Sequence, residues 1–452
     1  MNLLQAGFSR IDITPQKGVA MDGYFVPRFC EGALDPLEVN CLALSCAESR
    51  ALLIAVDNCG IGTDVLNTMR QHVCDLTDLP WEAVFIHATH SHTSGALVSK
   101  LESPQDIGPL DLEYQTFVRQ EMGKAAQMAL ADLQPTKMGY RVGQAPNIGF
   151  IRRYRMKDGS CQTNPGIGNP DILHPIGQAD EQVNILRFDR EHDSIVLMNF
   201  GDHPDTIGGC MASADWPGFA RRTVEQALPG TKAIFFNGAE GDINTLRVFP
   251  TSGDMNDLVE DFDGCHRGYG EARYVGRVVA GAVLQVFDKV CYTDVDRLNY
   301  AQQKISVPSN MPDAQDLPEA YRIKALHEAE RDSEIPFTGM ELTTVVAEAL
   351  RMVELEHGPE HFEMYLSGLA LGDVAMVGIP GEPFTQIGVT LKATPGWDMV
   401  LPMCCTNGYE GYFPMQDAYD EGGYEARSSP FKAGVAELMI DQARKLMDAL
   451  RK

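Results

Sequence analysis

Short apolar runs that alternate with helical stretches constrain the fold of this chain more than any other feature of its sequence. The runs are rich in β-branched and aromatic residues, and the stretches between them have the apolar spacing of amphipathic helices. This alternation is typical of an α/β architecture, in which helices cover the faces of β-sheets. The predicted strands lie at 51–56, 83–88, 183–188, 194–200 and 232–236, and the predicted helices at 64–74, 111–133, 215–228 and 269–290.

A different pattern occupies residues 309–357, where two acidic helical stretches near 317–332 and 340–356 interrupt the strands. We predict a helical insertion here that could act as a lid. Strands return at 364–369 and 374–379, and a helix near 432–450 follows. Neither an internal repeat nor a low-complexity linker divides the chain. We therefore expect residues 1–452 to form a single large α/β domain of mixed β-sheets covered by helices.

The charge of the chain limits its partners. It carries 63 acidic and 37 basic residues, a net charge of −26, which repels phosphate backbones and anionic lipid headgroups. We therefore expect no binding to nucleic acid. No apolar run reaches the ~18–20 residues needed to cross a bilayer, so we expect no stable membrane insertion. The first residues, MNLLQAGFSRIDITP, lack a basic segment followed by an apolar one, which favours a cytoplasmic location. Assembly into a homo-oligomer stays open.

The cysteines give no sign of a disulfide framework. There are 11 of them, an odd number, scattered without a Cys-x-x-Cys pair, and Cys404 and Cys405 are adjacent. In a long chain without an export signal, such cysteines are typical of small buried side chains in a reducing compartment.

The first candidate site is Ala88-Thr89-His90-Ser91-His92, at the end of the predicted strand 83–88. Side chains two residues apart on a strand face the same side, so His90 and His92 can point into one cavity. Neutral imidazole is a common protein ligand for zinc. A pair of hydrogen-bonded surface histidines is the alternative interpretation. His87 falls on the opposite face and is expected to be structural.

Two further candidates follow predicted strands. His203 comes after strand 194–200, at the carboxyl end where α/β proteins tend to bind ligands. Glu382, in Pro380-Gly381-Glu382-Pro383, follows a strand and a glycine turn. Its carboxylate could enter a cavity as an oxygen ligand, or it could lie near the N-cap of the next helix, where the helix dipole favours negative charge. The structural alternative for His203 is an ordinary loop histidine.

Two tyrosines complete the set of candidates. Tyr412 ends the glycine-containing segment 407–412 (NGYEGY), and Tyr424 follows it after another loop. Tyrosines beside glycines in loops are typical of packing or of a cavity rim. Because most of these elements lie far apart in the sequence, their spacing alone does not show whether they meet.

Taken together and in this order, these segments resemble the neutral, non-lysosomal ceramidase family. The resemblance covers most of the chain from Gly7 to about Ser429 and implies the family's α/β fold and its zinc-dependent hydrolysis of the amide of N-acylsphingosine. The segments that carry it are 7–15 (GFSRIDITP), 35–37 (DPL), 88–92 (ATHSH), 200–208 (FGDHPDTIG), 237–242 (NGAEGD), 380–382 (PGE) and 407–412.

The resemblance also implies roles for particular residues. It implies that one Zn²⁺ and a water are held by His90, His203, Glu382 and Tyr412. His92 and Tyr424 would lie beside the scissile carbonyl. The family's cavity arginine best matches Arg152, with Arg153 nearly as good a match. Candidates for orienting the histidines are Asp57, Asp202 and Asp242, each of which has an alternative reading as a turn residue.

The chain also departs from the family pattern. It has Thr93-Ser94-Gly95 where many relatives have Ser-Gly-Pro, and the β-sandwich domain that follows this region in secreted members is not expected here. We therefore expect a soluble small-molecule amide as substrate rather than membrane ceramide. The alternatives are a metal-dependent esterase, lactamase or phosphoesterase, and a catalytically inactive binding relative. A serine hydrolase is disfavoured because no Gly-x-Ser-x-Gly segment occurs.

Overall fold

Three mixed β-sheets organise the computed structural model, which describes residues 4–99 and 107–451. In spatial order, the first sheet contains Val84–Ala88, Ser49–Val56, Glu38–Cys46, Leu4–Asp12 and Gln134–Pro135. The second contains Thr231–Asn237, Ser194–Phe200, Gln182–Asp189, Lys137–Gln144 and Cys291–Thr293. The third contains Leu298–Pro308, His361–Leu371, Val374–Gly378 and Met399–Met403.

Each sheet ends in one pair of parallel strands. The pairs are Val84–Ala88 with Ser49–Val56, Ser194–Phe200 with Thr231–Asn237, and Val374–Gly378 with Met399–Met403. The remaining neighbours within the three sheets are antiparallel. Both strands of a parallel pair end at the same side of their sheet, so loops that follow them are gathered there.

Alternation along the buried strands explains how the sheets pack. In Ser194–Phe200, Ile195 and Leu197 enter an apolar core that includes side chains of all three sheets. Val196 and Met198 point to the other face, against the helices Asp215–Ala227 and Tyr269–Val286. A strand whose two faces are both covered has no polar side, which is why this run of sequence is continuously apolar.

Helices cover the outer faces of the sheets in the predicted manner. Thr63–Thr77 and Pro109–Ala131 lie on the first sheet, and Thr385–Lys392 and Val435–Leu450 lie on the third. The α/β architecture predicted from the alternating pattern is therefore confirmed. Within the described residues, no helix is both long enough and apolar enough to cross a membrane.

A pair of helices, Leu317–Glu328 and Gly339–Leu355, is inserted between two adjacent strands of the third sheet, and we call residues 317–355 the helical hairpin. Both helices coincide with the helical stretches predicted from the sequence. The hairpin has an apolar core of its own, formed by Ala320, Ile323, Ile335, Val345, Val346 and Ala349.

The buried ring of His87 joins the three sheets where their parallel strands end. His87 belongs to the first sheet, and its Nε2 accepts a hydrogen bond from the Asn237 amide of the second sheet at 2.9 Å. Its Nδ1 lies 2.8 Å from the carbonyl of Cys404, directly after the third sheet. The amide must donate to Nε2, so the proton of the neutral ring is on Nδ1. Burial lowers the pKa of His87 to about 3, in keeping with the predicted structural role.

We predict that His87 makes the protein sensitive to acid. The folded-state pKa lies below the ordinary value of about 6.5, so its contribution to stability is present above that pH and is lost as the pH falls towards 3. The loss is on the order of 1.4 kcal/mol per pH unit within this window. Replacing His87 with Gln, whose amide can donate and accept, should lower the Tm at neutral pH but make its decline between neutral and acidic pH less steep. Parallel Tm curves for the two proteins, measured by circular dichroism, would contradict this assignment.

Candidate metal centre and its cavity

Two imidazoles and a carboxylate meet where strands of the three sheets end. His90 follows Val84–Ala88, His203 follows Ser194–Phe200, and Glu382 follows Val374–Gly378. The Nε2 atoms of His90 and His203 lie 3.5 and 3.3 Å from Oε2 of Glu382. Each of the three residues is only 1% exposed. The structure thus brings together three of the four residues proposed as metal ligands from the sequence.

Backbone carbonyls fix the tautomers of both histidines. Nδ1 of His90 lies 2.6 Å from the carbonyl oxygen of Cys59, and Nδ1 of His203 lies 2.8 Å from that of Glu240. A carbonyl can only accept, so Nδ1 of each ring carries a proton, and in the neutral ring Nε2 presents a lone pair to Glu382. His203 Nε2 and Glu382 Oε2 have no hydrogen-bond partner. Buried lone pairs that face one another call for a positive charge between them.

The donor set and its spacing fit a divalent metal ion. Ligand atoms about 2.0–2.1 Å from a tetrahedral zinc lie about 3.3–3.4 Å apart, close to the separations observed here. The electrostatics agree with this fit. Burial by itself would lower the pKa of His203, but the charge of Glu240 and the close contacts with the Glu240 and Glu382 carboxylates together raise that pKa to about 9. The cluster therefore attracts positive charge.

The two histidines of the His-x-His segment meet, although not through strand alternation as the sequence argument assumed. The strand ends at Ala88, and His90 has a left-handed backbone with φ of +73°. His92 Nε2 still lies 3.2 Å from His90 Nε2. A left-handed conformation at a residue with a β-carbon is costly and persists only where surrounding contacts hold it.

Glu382 reaches the cluster from a short strand, and the N-cap interpretation is wrong. The next helix starts at Thr385, with Phe384 as its N-cap, while Glu382–Pro383 pairs in parallel with Tyr412–Phe413. The strand pair requires Gly381, whose φ is +151° and where a β-carbon would lie 2.4 Å from the Gly411 carbonyl. The structure instead agrees with the other interpretation of the sequence, in which a glycine turn places the carboxylate in the cavity.

Tyr412 lies beside the cluster because it is the registered partner of Glu382 in that strand pair. Its ring stacks against the His203 ring, with centroids 6.5 Å apart, and its hydroxyl accepts a hydrogen bond from Arg152 Nη2 at 3.1 Å. Burial, followed by the charge of Glu382, raises the pKa of Tyr412 and so favours the neutral phenol. Its role as a metal ligand stays a prediction.

Arg152 rather than Arg153 faces this region. Arg152 donates through Nε to Glu425 at 2.6 Å and through Nη2 to the Gly241 carbonyl at 2.8 Å, in addition to Tyr412. Arg153 instead contacts Glu421 and the Gly422 carbonyl. The choice between the two arginines, left open by the sequence, is thus decided by the different partners that they contact.

Sequence reasoning missed two side chains of the cluster. Tyr409 donates its hydroxyl to Glu382 Oε1 at 2.9 Å, which leaves Oε2 free to face the histidines. Oε2 of the fully buried Glu240 lies 2.6 Å from His203 Nδ1. Both were detectable in principle, since Glu240 follows the buried strand Thr231–Asn237 and Tyr409 lies in the same segment as Tyr412.

The three aspartates considered for orienting the histidines have other partners. Asp57 forms an ion pair with Arg221 at 2.5 Å, and Asp242 accepts hydrogen bonds from the amide and hydroxyl of Thr385. Asp202 accepts the backbone amide of His203 rather than its ring. The orienting role falls to the carbonyls of Cys59 and Glu240, so Asp57 and Asp242 are structural.

A cavity of about 110 Å³ adjoins the cluster. Its floor contains His92, Arg152, His203, Tyr412 and Tyr424. One wall is polar and contains Asp205, Asp263 and Arg267. The rest of the lining is largely apolar and includes Phe25, Val26, Met340, Leu342 and Val346. A larger hollow of about 340 Å³ lies among residues 245–258 and has none of the three cluster residues in its lining.

Comparison with known proteins identifies the fold. A crystal structure of the neutral ceramidase from Pseudomonas aeruginosa aligns with a TM-score of 0.71 and 16% sequence identity over 100% of this chain and 75% of that chain. A structure of a ceramidase complexed with C2 aligns equally well and is covered to 76%. No protein-family model matches the chain, and no curated protein matches it either. The ceramidase fold expected from the order of the motifs is thus confirmed.

We predict that the cluster binds one divalent metal ion per chain. Replacing His203 with Ala, or Glu382 with Gln, removes a lone pair or a negative charge from the donor set and should reduce the bound metal to nearly none after native purification. Elemental analysis by mass spectrometry measures this directly. Replacing the exposed His174 with Ala is the matched control and should leave the metal content unchanged. Full metal occupancy in the Glu382→Gln variant would place the ion elsewhere.

A second prediction concerns Tyr409. Without its hydroxyl, Glu382 Oε1 loses a donor and the carboxylate can rotate away from the histidines. Mutation of a residue that hydrogen-bonds to a metal ligand typically weakens metal binding by about 10–100-fold. We therefore expect Tyr409→Phe to weaken metal binding by about that factor in a chelator competition, with little change in Tm of the metal-free protein. An unchanged affinity would show that the hydrogen bond does not orient Glu382.

Proposed function

We propose that this chain is a zinc-dependent hydrolase that cleaves the linear amide bond of a small, soluble N-acyl amine. The observation that carries the proposal is the meeting of two imidazole lone pairs with an unpartnered carboxylate oxygen beside a cavity. The fold shared with neutral ceramidase structures supports it further.

Zinc suits this donor set because catalytic zinc sites combine histidines with a carboxylate and keep a position open for water. His90, His203 and Glu382 would hold the ion, and Tyr412 is proposed as the fourth protein ligand. When bound, zinc lowers the pKa of its water towards about 7 and polarises a carbonyl.

We assign to the other polar groups of the cavity the role of stabilising charge that develops on the substrate during the reaction. His92 and Tyr424 line the cavity beside the cluster and can donate to an amide oxygen as it becomes an oxyanion. Arg152, held by Glu425, orients the hydroxyl of Tyr412. Removing one such donor typically costs about 10²–10³-fold in rate.

The leaving amine must receive a proton, and we assign its delivery to His92. Among the imidazoles of the cluster, His92 is the one outside the proposed ligand set, and its Nε2 faces His90. Nδ1 of His92 lies 3.8 Å from the carboxylate of Asp205, but burial lowers the pKa of His92, so the neutral ring can accept the proton that the attacking water loses and pass it to the leaving amine. Asp205 is itself held by Arg267 at 2.7 Å.

A soluble substrate is favoured over membrane ceramide on two grounds. The cavity volume of about 110 Å³ is below the ~300–1,000 Å³ typical of pockets that enclose drug-sized ligands. The net charge of −26 opposes approach to anionic lipid surfaces. A cytoplasmic protein acting on a dissolved amide is consistent with both features.

We expect the purified, metal-loaded protein to hydrolyse N-acyl amines faster than esters, lactams or phosphoesters of similar size. Chelation should abolish turnover and Zn²⁺ should restore it. His92→Ala should retain the metal and lose about 10²–10³-fold in kcat. Preferential cleavage of an ester, lactam or phosphoester would select that alternative. Turnover that survives chelation would revive a serine mechanism, and bound metal without turnover of any substrate class would indicate a binding relative.

A further inference from the structure

We infer that the helical hairpin limits the acyl group of the substrate to a short chain. The inference rests on the proposed function, because it concerns the amide that would be cleaved at the cluster. It starts from the position of the helix Gly339–Leu355, whose residues Met340, Leu342 and Val346 line the wall of the cavity. The cavity therefore lies between the cluster and the hairpin.

The hairpin is fastened on both sides of the cavity. On one side, Arg427 pairs with Glu341 at 2.8 Å and with Glu348 at 2.6 Å, which joins the hairpin to the short helix Tyr424–Ser428. That helix also contributes Tyr424 to the cavity. On the other side, His327 Nε2 lies 3.1 Å from the carbonyl oxygen of Phe25, in the loop that forms the neighbouring wall. These contacts hold the wall at a defined distance from the cluster.

The chemistry of the walls orients the substrate. On the polar wall, Arg267 pairs with Asp205 and Asp263 of the cavity lining and also with Asp261 behind them, so negative charge is in excess around this guanidinium. An amine that leaves with a proton becomes an ammonium ion, which this wall favours. The apolar wall formed by the hairpin is then left for the acyl chain, where burial of methylene groups is favourable.

The volume of the cavity sets the limit on the length of the acyl chain. The cavity volume of about 110 Å³ is below the ~300–1,000 Å³ typical of pockets that enclose drug-sized ligands. An acetyl to butanoyl group fits this space, whereas an octanoyl or longer chain requires the hairpin to move or Val346 and Leu342 to be smaller.

The experiment uses two adjacent valines of the same helix. Val346 lines the cavity and is 2% exposed, while Val345 is 5% exposed, belongs to the same apolar core of the hairpin and is not part of the lining. Val346→Ala and Val345→Ala remove the same two methyl groups from equally buried positions. Leu342→Ala is a second variant on the cavity side. Each protein is assayed with one amine acylated by acetyl, butanoyl, hexanoyl, octanoyl and dodecanoyl groups.

We expect kcat/KM of the wild type to be highest for acetyl or butanoyl and to fall by at least about tenfold at octanoyl, the size of effect that a single methylene can have in a tight pocket. Val346→Ala and Leu342→Ala should raise the octanoyl-to-acetyl ratio by about tenfold, and Val345→Ala should leave it unchanged. Equal or higher activity on dodecanoyl amides in the wild type overturns the inference, and so does an identical shift in the Val345 variant.

A binding measurement separates this inference from the proposed function. Alkyl hydroxamates of the same chain lengths are titrated into the Zn²⁺-loaded proteins by calorimetry. Tighter binding of the short hydroxamates, relaxed by Val346→Ala, supports the limit on chain length even if no amide is hydrolysed, in which case only the proposed reaction fails. Affinity that rises steadily with chain length in the wild type overturns the limit even if amides are hydrolysed.

Discussion

His87 accepts a hydrogen bond from the second sheet and donates one to the segment after the third, while its own backbone belongs to the first. Asn237 extends this junction, since its side chain donates to the carbonyls of Thr89 and Asp202. Three of the four proposed ligands, His90, His203 and Glu382, follow strands that end at this junction. The hydrogen bonds of the junction therefore help to fix the distances between these three residues. A neutral imidazole can be fully buried at this junction because both of its nitrogens have hydrogen-bond partners.

The arrangement of the sheets makes such a junction possible. Each sheet ends in a parallel strand pair, and the carboxyl ends of those pairs point to one place. Loops at carboxyl ends of parallel strands are where α/β proteins usually bind ligands, because side chains can turn inward there without interrupting the sheet. Three sheets that meet in this way supply donors from three distant parts of the chain to a single buried point.

Unusual backbone conformations accumulate at the same junction. His90, Cys405 and Asn407 all have positive φ values, of +73°, +42° and +59°. Asn407 is held by hydrogen bonds in both directions with the backbone of Ile86. Conformations of this kind cost of order 1–3 kcal/mol each and are maintained by surrounding contacts. Their concentration beside the candidate metal centre agrees with the general observation that local conformational preferences are overruled at functional sites.

The sequence by itself determined the class of the fold, most of the buried strands and both helices of the hairpin, because periodicity records which side of each element is buried. It also singled out His90, His203 and Glu382, since each follows an apolar strand. Only the tertiary structure decided that these residues meet, that Tyr409 and Glu240 support them, and that Arg152 rather than Arg153 faces the cavity. These outcomes depend on left-handed turns and on contacts between distant segments, which leave no periodic trace in the sequence. The size of the cavity was also decided only by the tertiary structure, because it depends on contacts that hold the hairpin to the helix Tyr424–Ser428 and to the loop of Phe25.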